Sequence, residues 1–183
     1  RDGIARHSTR VIAHILAQRY GDPSLARDLV EIKEQCLIDG HVPVPLLGNV
    51  SKFLETIGSM GIPVGVASNS RSRYVHQVLL DHGLLTSFQT IICSDDVARP
   101  KPFPDMFLRC GNLLGVDSSN FHRILVFEDS VHGIKTARDA GMTAIGITSL
   151  EPAEVLLDQG AVATFPELGA ATPLLCVSII ENN

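Results

Sequence analysis

The sequence predicts an α/β fold: a doubly wound, Rossmann-like parallel sheet with helices on both faces, accompanied by a small, partial helical cap. Two observations lead to this prediction. After residue 45, short apolar runs rich in β-branched residues alternate with segments of helical periodicity, the pattern of buried parallel strands joined by crossover helices. A glycine also follows each helical segment, where a left-handed residue is least costly, at Gly61, Gly83, Gly115, Gly141 and Gly160.

The chain is predicted to pass from one domain to the next in the segment GHVPVP, from Gly40 to Pro45. Its glycine stops a helix and its two prolines hold the chain extended, so the segment is typical of a linker. We therefore assign residues 1–42 to a partial helical cap and residues 43–183 to the α/β core.

Two helices are predicted in the cap. Apolar residues recur at helical spacing from Ile4 to Leu16, and this first helix ends near Gly21. The second helix starts at Pro23 with Asp22 as its N-cap, because proline suits the first helical position and aspartate satisfies free N–H groups there. Together they form a helical hairpin.

The core is predicted to contain five strands and five helices in alternation. The strands are Pro63–Ala67, Gln89–Cys93, Ile124–Phe127, Thr143–Ile147 and Val162–Phe165. The helices are Leu46–Met60, Arg71–His82, Pro104–Leu114, Val131–Ala140 and Pro152–Gln159.

Composition and charge narrow the classes of partner. The chain has 183 residues, 45% of them hydrophobic, and a formal net charge of −5, so it can bury a core and offers no basic stripe to nucleic acid. No apolar run reaches the length of about 18 residues that spans a bilayer, and the first ten residues lack the apolar core of a signal peptide. We expect a cytoplasmic monomer or weak homodimer that binds a small solute and contacts neither nucleic acid nor membrane.

In an open parallel sheet, ligands bind beyond the carboxyl ends of the strands. The first candidate there is Ser68-Asn69-Ser70, which follows the strand Pro63–Ala67. A small hydroxyl and free backbone N–H groups near a helix N-terminus suit phosphate oxygens. The alternative is that Asn69 and Ser70 only cap the next helix.

The second candidate is Lys101, which lies between two prolines just before a predicted helix. Prolines restrict the loop, so the ammonium group is presented more rigidly than on an ordinary surface lysine. Such a cation can neutralise a phosphate or an attacking carboxylate. Asp105, further along the loop, has a simpler interpretation, because a carboxylate in a first helical turn is favoured by the helix dipole.

The third candidate is the pair Glu128-Asp129, which ends a strand that otherwise reads as buried. Paired carboxylates in that position are unfavourable unless a cation or a cap satisfies them, and Mg²⁺ prefers oxygen ligands of this kind. The competing explanation is that Asp129 or Ser130 caps the following helix. Gly133, in the first turn of that helix, indicates close backbone approach.

Other hydrolytic sites are excluded by their missing patterns. No two histidines stand at the spacing H-x-x-x-H, and no G-x-S-x-G elbow occurs, so a zinc hydrolase or a serine esterase is not predicted. His132 lies beside the carboxylates; one interpretation is that it reaches the substrate, and the simpler one is that it is an ordinary exposed histidine.

Taken together, these residues resemble the second, third and fourth motifs of the haloacid dehalogenase-like superfamily. The resemblance rests on Ser68 after an apolar strand, Lys101 in a KPFPD loop, and Glu128-Asp129 in VFEDSVHGIKTARDAGM, in that order. The most similar subfamily contains β-phosphoglucomutase and small sugar-phosphate phosphatases, which carry a helical cap.

The resemblance implies a Mg²⁺-dependent phosphatase that acts on a small phosphorylated metabolite, such as a sugar phosphate. By this resemblance Ser68, Asn69 and Lys101 bind the phosphoryl group, Lys101 also orients a nucleophilic aspartate, and Glu128 and Asp129 hold Mg²⁺. A phosphomutase and a non-catalytic phosphate- or metal-binding regulatory relative are the alternatives.

The sequence departs from the family at the first motif, because no Asp-x-Asp pair is present. In the family that motif ends a central strand, between the ones predicted here at Pro63–Ala67 and Ile124–Phe127. Its loss would leave buried backbone groups unpaired, at about 1–3 kcal/mol each. We therefore expect about 40–50 further residues upstream, judged from domain size, and no turnover from the 183 residues alone.

Overall fold

The computed structural model describes residues 18–22, 24–40 and 44–181. The chain divides into two units, Arg1–Val44 and Pro45–Asn183. In the first unit, helix α1 spans Ser24–Asp39, which agrees with the second predicted cap helix. The first predicted helix, from Ile4 to Leu16, and the predicted start at Pro23 lie outside the described residues.

The second unit alternates helices and strands, as the sequence predicts. Its elements are α2 (Val50–Ser59), β1 (Gly65–Ala67), α3 (Ser72–Asp81), β2 (Thr90–Ile92), α4 (Asp105–Leu113), β3 (Leu125–Glu128), α5 (Val131–Asp139), β4 (Thr143–Ile147), α6 (Ala153–Asp158), β5 (Ala163–Phe165) and α7 (Pro173–Glu181). Each predicted core strand and helix is present within a few residues of its predicted bounds, and the α/β fold class is confirmed. Helix α7 was not predicted.

The sheet is parallel and lies in two sections. In the first section β1 pairs with β2, with Gly65 opposite Thr90. In the second, β4 lies between β3 and β5 and pairs with both. No described strand lies between β1 and β3, so each of these strands has one side without a pairing partner in the described part of the chain.

A largely apolar cavity of about 520 Å³ separates the two sections of the sheet. We call this cavity the slot. Its walls are formed by β1 and β3 together with helices α2, α4 and α7, and the lining includes Val66, Phe127, Phe53, Phe107, Cys110 and Val177. The rings of Phe53 and Phe127 meet edge to face across one wall, with centroids 5.6 Å apart.

The larger of two hydrophobic clusters surrounds the second section of the sheet. Ile134 and Ala137 of α5 are fully buried there against Val126 of β3, Ala144 of β4 and Leu156 of α6. A smaller cluster lies behind the first section and consists of Ile92, Met106 and Cys110. Ala67 packs against both clusters, so the end of β1 lies where the two parts of the core meet.

The end of α5 shows why glycine is needed after these helices. Gly141 has φ of +75°, a conformation that costs little only for a residue without a Cβ. In that conformation the N–H of Met142 reaches the Ala137 carbonyl at 3.0 Å, which satisfies a free carbonyl of the last turn. No described helix is long and apolar enough to cross a bilayer.

Candidate active site

The three predicted positions lie at the carboxyl ends of the strands. Ser68 and Asn69 follow β1, Lys101 lies in the loop between β2 and α4, and Glu128 is the last residue of β3, followed by Asp129. Because parallel strands end at the same edge of a sheet, the fold brings these segments, distant in sequence, to one place.

Lys101 connects the two sections of the sheet. Its Nζ pairs with Oε1 of Glu128 at the end of β3, and it donates to the Ala67 carbonyl at the end of β1 at 3.2 Å. Both charged side chains are only 12% exposed. The ammonium also lies 5.2 Å from the centroid of the Phe107 ring, a residue of the slot lining. It therefore lies against three residues of the slot lining, Ala67, Phe107 and Glu128, at a place that we call the mouth of the slot.

The Asn69 side chain is directed toward this centre, the Ser68 Oγ accepts from the Ser70 N–H at 3.2 Å, and neither Asn69 nor Ser70 caps a helix. The Ser68 N–H donates to Ile92 O at 2.9 Å, which extends the pairing of β1 with β2. Asn69 Nδ2 donates to the Lys101 carbonyl at 3.1 Å. Helix α3 begins only after Arg71, and its first turn is capped by Asp95, whose Oδ1 accepts from the Ser72 N–H at 2.9 Å.

The capping alternative for Asn69 and Ser70 is therefore wrong. The N-cap position is Arg71, one residue after Ser70 and two after Asn69, so the helix starts too late for either side chain to cap it. Asp95, which does cap it, comes from the segment after β2, so this function could not be read from residues adjacent in sequence.

Ser130 caps helix α5, as one of the two alternatives for this segment predicts. Its Oγ accepts from the Gly133 N–H at 3.1 Å, which satisfies a free donor of the first turn. The Asp129 carboxylate is not needed for this purpose. Asp129 Oδ2 accepts instead from Ser149 Oγ at 3.1 Å, and its other oxygen has no hydrogen-bond partner among the described residues.

Gly133 allows the Glu128 carboxylate to fold back over the first turn of α5. A Cβ at this position would overlap the carboxyl group of Glu128. Oε2 of Glu128 lies 3.5 Å from Ser130 Oγ, while Oε1 is paired with Lys101. The close approach predicted from this glycine is therefore present, and the group that approaches is the carboxylate of the site.

The carboxylates fit a hard divalent cation in their chemistry. Glu128 and Asp129 offer oxygen atoms, the ligand type that Mg²⁺ prefers, and Mg²⁺ ordinarily keeps several waters and takes only one or two protein carboxylates. A second acidic group, Cys93 with Asp95 and Asp96, has ligand atoms within 4.8 Å of one another. There, however, Asp95 caps α3 and Asp96 accepts from the Cys93 N–H at 2.7 Å, so both carboxylates have structural partners.

The loop that carries Lys101 is fixed at several points. Arg99 donates twice to the Asp105 carboxylate, with both distances 3.1 Å, and its guanidinium lies 5.0 Å from the centroid of the Phe103 ring. The peptide bond between Lys101 and Pro102 is cis. Asp105 lies in the first turn of α4, as predicted, and it also anchors Arg99.

Three residues at this edge were missed from the sequence: Asp95, Thr136 and Ser149. Each contacts the site through a partner at least 20 positions away, Ser72, Pro102 and Asp129 respectively. No pattern of neighbouring residues in the sequence predicts contacts of this kind. Only the position of Ser149 just past β4 gave a signal, because it follows the rule that placed the other candidates.

Ser68 and Asn69, the Lys101 ammonium and the two carboxylates thus lie at one edge of a parallel sheet, the edge at which ligands bind in folds of this kind. The sequence pattern of haloacid dehalogenase-like hydrolases matches residues 6–147, and the chain belongs to that family. The resemblance of its later motifs to those of the superfamily is thereby confirmed.

Known relatives include two enzymes of sugar phosphates. The chain is 36% identical over 130 residues to the fructose-1-phosphate phosphatase YqaB of Escherichia coli, covering 70% of this chain and 65% of the relative. It is 30% identical over 118 residues to β-phosphoglucomutase of Bacillus subtilis, covering 64% of this chain and 50% of that protein. The chain thus spans less than two-thirds of the length of either relative.

The fold is also shared with solved structures. A HAD hydrolase, family IA, variant 3, from Entamoeba histolytica superposes with a TM-score of 0.76 at 26% identity, over 99% of this chain and 81% of that one. The similarity over nearly the whole chain agrees with the architecture of alternating helices and parallel strands described above.

Proposed function

We propose that this protein is a Mg²⁺-dependent phosphatase that hydrolyses the phosphate ester of a small metabolite, such as a sugar phosphate, through an aspartyl-phosphate. The observation that carries the proposal is the position of the Lys101 ammonium, held between the ends of β1 and β3 at the mouth of the slot. A nucleophile delivered through the slot would meet this cation first.

The nucleophilic aspartate is proposed to lie on a strand outside the 183 residues, upstream of residue 1. The slot supports this, because β1 and β3 each pair on one side only within the described residues and buried backbone groups need partners. A parallel strand between them would satisfy both edges, and its apolar side chains would meet the apolar lining on both faces. Its carboxyl end would emerge beside Lys101.

Each candidate side chain then has a task in phosphoryl transfer, which depends mainly on positioning and on neutralising the phosphoryl oxygens. Ser68 Oγ and the Asn69 N–H are proposed to hold those oxygens, near the start of α3. Lys101 is proposed to neutralise charge shared between the phosphoryl group and the attacking carboxylate. Burial of its ammonium strengthens this effect, since the surrounding dielectric constant is low.

Asp129 and Glu128 are proposed to hold Mg²⁺. When bound, the ion would supply further neutralisation of charge on the phosphoryl group. Ser149 orients the Asp129 carboxylate by its hydrogen bond, and Lys101 restrains that of Glu128. The two carboxylates are thus differently bound in the protein, with Asp129 having the oxygen that is available to a cation.

A phosphomutase is the second candidate, favoured by the 30% identity to β-phosphoglucomutase. The two reactions begin alike and differ in the acceptor of the phosphoryl group, which is water in one and a sugar hydroxyl in the other. A non-catalytic regulatory protein remains the third. It would bind phosphate and cation at the same edge without turnover.

The test uses protein expressed from the complete open reading frame, incubated with fructose 1-phosphate or glucose 1-phosphate and with Mg²⁺ varied. Release of inorganic phosphate that requires Mg²⁺ is the expected result, and isomerised sugar phosphate without release would instead establish the mutase. Asp129→Asn should abolish the Mg²⁺-dependent release of phosphate, while Asp139→Asn, at an exposed residue at the end of α5, should retain it. Binding of Mg²⁺ and phosphate without any turnover would overturn the enzymatic proposal.

A further inference from the structure

Two successive carbonyl groups of the segment that carries Lys101 accept hydrogen bonds from side chains of other elements. Asn69 Nδ2 donates to the Lys101 carbonyl at 3.1 Å, and Thr136 Oγ1 lies 3.2 Å from the Pro102 carbonyl. The first contact comes from the loop after β1, and the second comes from helix α5. Two adjacent carbonyls are therefore held by two different elements of the fold.

Thr136 is a polar residue in the buried interior of a helix, where an apolar residue or alanine is usual. It lies inside α5 and is completely buried, although alanine is the better helix former and burying a hydroxyl costs free energy unless it is hydrogen bonded. Its Oγ1 is also 2.6 Å from the His132 carbonyl one turn earlier, the usual bond of a threonine within a helix. The single hydroxyl hydrogen of Thr136 is shared between the carbonyls of His132 and Pro102, and the second of these belongs to a different segment.

Helix α5 also fixes the carboxylates. It begins directly after Glu128-Asp129-Ser130 and is capped by Ser130, and Thr136 lies within two turns of that start. The helix that follows the carboxylate pair therefore also carries the group that contacts the Lys101 loop. It links that loop to the carboxylates, in addition to the direct contact of Lys101 with Glu128.

We infer that Thr136 is a positioning residue for Lys101, acting with Asn69 through the two successive carbonyls of the loop. The inference rests on the proposed function for its effect on turnover. It predicts that losing the hydroxyl shifts Lys101 relative to Glu128 and to the transferring phosphoryl group. Displacements of about 1 Å in such groups lower turnover by up to about 100-fold.

A matched pair of variants separates this role from simple packing. Thr136→Val keeps the shape of the side chain and removes the hydroxyl, while Thr136→Ser keeps the hydroxyl and removes a methyl group. In protein from the complete open reading frame, we expect Thr136→Val to lower kcat by about 10-fold or more with KM nearly unchanged. Thr136→Ser should retain most of the wild-type kcat.

Thr56→Val is the control for loss of the intrahelical bond. Thr56 is an exposed residue of α2 whose Oγ1 donates to the Lys52 carbonyl four residues earlier at 2.8 Å, and it contacts no part of the site. This variant should leave kcat unchanged.

Hydrogen exchange of peptides covering residues 99–105 provides a readout that does not depend on catalysis. The Phe103 N–H donates to the Pro100 carbonyl at 3.1 Å, so its exchange reports on the loop. Thr136→Val should speed exchange there, and Thr136→Ser should not. If the exchange follows this pattern and the wild type hydrolyses no phosphate ester, the positioning role stands and the proposed function fails.

Either of two results would overturn the inference. One is wild-type kcat in Thr136→Val of an active enzyme. The other is an equal loss of kcat and thermal stability in Thr136→Val and Thr136→Ser, which would show that the side chain only fills space.

Discussion

The two sections of the sheet differ in the number of their paired strands and in the size of the hydrophobic cluster beside them. The section of β3, β4 and β5 has three paired strands and the larger buried cluster, whereas that of β1 and β2 has two strands of three residues and a small cluster. Their loops also differ, since neutral groups follow β1 and carboxylates follow β3. The phosphate-binding and cation-binding groups proposed here thus belong to different sections, and Lys101 joins them.

The largest expected effect comes from removing that junction. Lys101→Met leaves the Glu128 carboxylate, which is 12% exposed, without its partner. We expect the free energy of unfolding to fall by about 3–5 kcal/mol, as when one member of a buried ion pair is lost. Urea unfolding followed by circular dichroism measures it.

Lys135→Met is the matched control, because Lys135 is an exposed residue of α5, and it should change stability by less than about 0.5 kcal/mol. The double variant Lys101→Met with Glu128→Leu should recover much of the loss, since replacing both members of a buried pair is often neutral. Equal stability of Lys101→Met and Lys135→Met would show that the ammonium does not join the two sections.

A smaller effect, confined to the section of β3, is expected from Gly133→Ala. The new methyl group would overlap the Glu128 carboxylate, and overpacking of this kind costs about 1–3 kcal/mol. Gly58→Ala is the control, because a Cβ there would meet no atom within 4 Å. Alanine in the last turn of α2 should instead raise the free energy of unfolding by about 0.5 kcal/mol.

Thermal or urea unfolding of the two glycine variants measures the difference, and hydrogen exchange locates it. Exchange should rise in α5 and β3 of Gly133→Ala and remain unchanged in β1 and β2. A loss spread evenly over both sections would contradict the view that they are stabilised separately.

The remaining effect is a pH dependence that belongs to the section of β1. Burial raises the pKa of the Cys110 thiol from 9.0 to about 11. Between these values the unfolded chain releases the proton and the folded chain retains it, so the thiol contributes full stability below pH 9 and loses it as the pH rises. The slope is at most about 1.4 kcal/mol per pH unit.

Comparison of wild type with Cys110→Ala isolates this slope from other groups that titrate in alkali. The difference in free energy of unfolding between the two should be constant from pH 7 to 8 and shrink from pH 9 to 11. A constant difference throughout would show that the thiol reaches solvent through the slot.

Much of this architecture could be predicted from the sequence, and most accurately where one strand is enclosed on both sides. The bounds Thr143–Ile147 of β4 agree with the prediction because the strand lies between two neighbours and its run of apolar residues is buried almost throughout. Strand β1 was predicted from Pro63 but pairs only from Gly65. There the Val64 N–H donates to the side chain of Gln89 at 2.6 Å, so the ladder starts later than the apolar run.

Other features depend on contacts that the sequence does not encode locally. Helix α7, with the sequence PLLCVSIIE, is apolar on nearly every side, and without a polar face its periodicity could not be recognised. Thr136 reads as an ordinary helical residue, and only the fold places Pro102 against it. The roles of Ser68, Asn69, Lys101, Glu128 and Asp129 remain predictions, although the structure brings these residues to one edge of the sheet.

The residue that caps the start of α5, Ser130, carries no charge. Since its hydroxyl caps the helix, we expect a substitution of Asp129 to leave the N-terminal turn of α5 intact and to remove only the hydrogen bond that Asp129 accepts from Ser149.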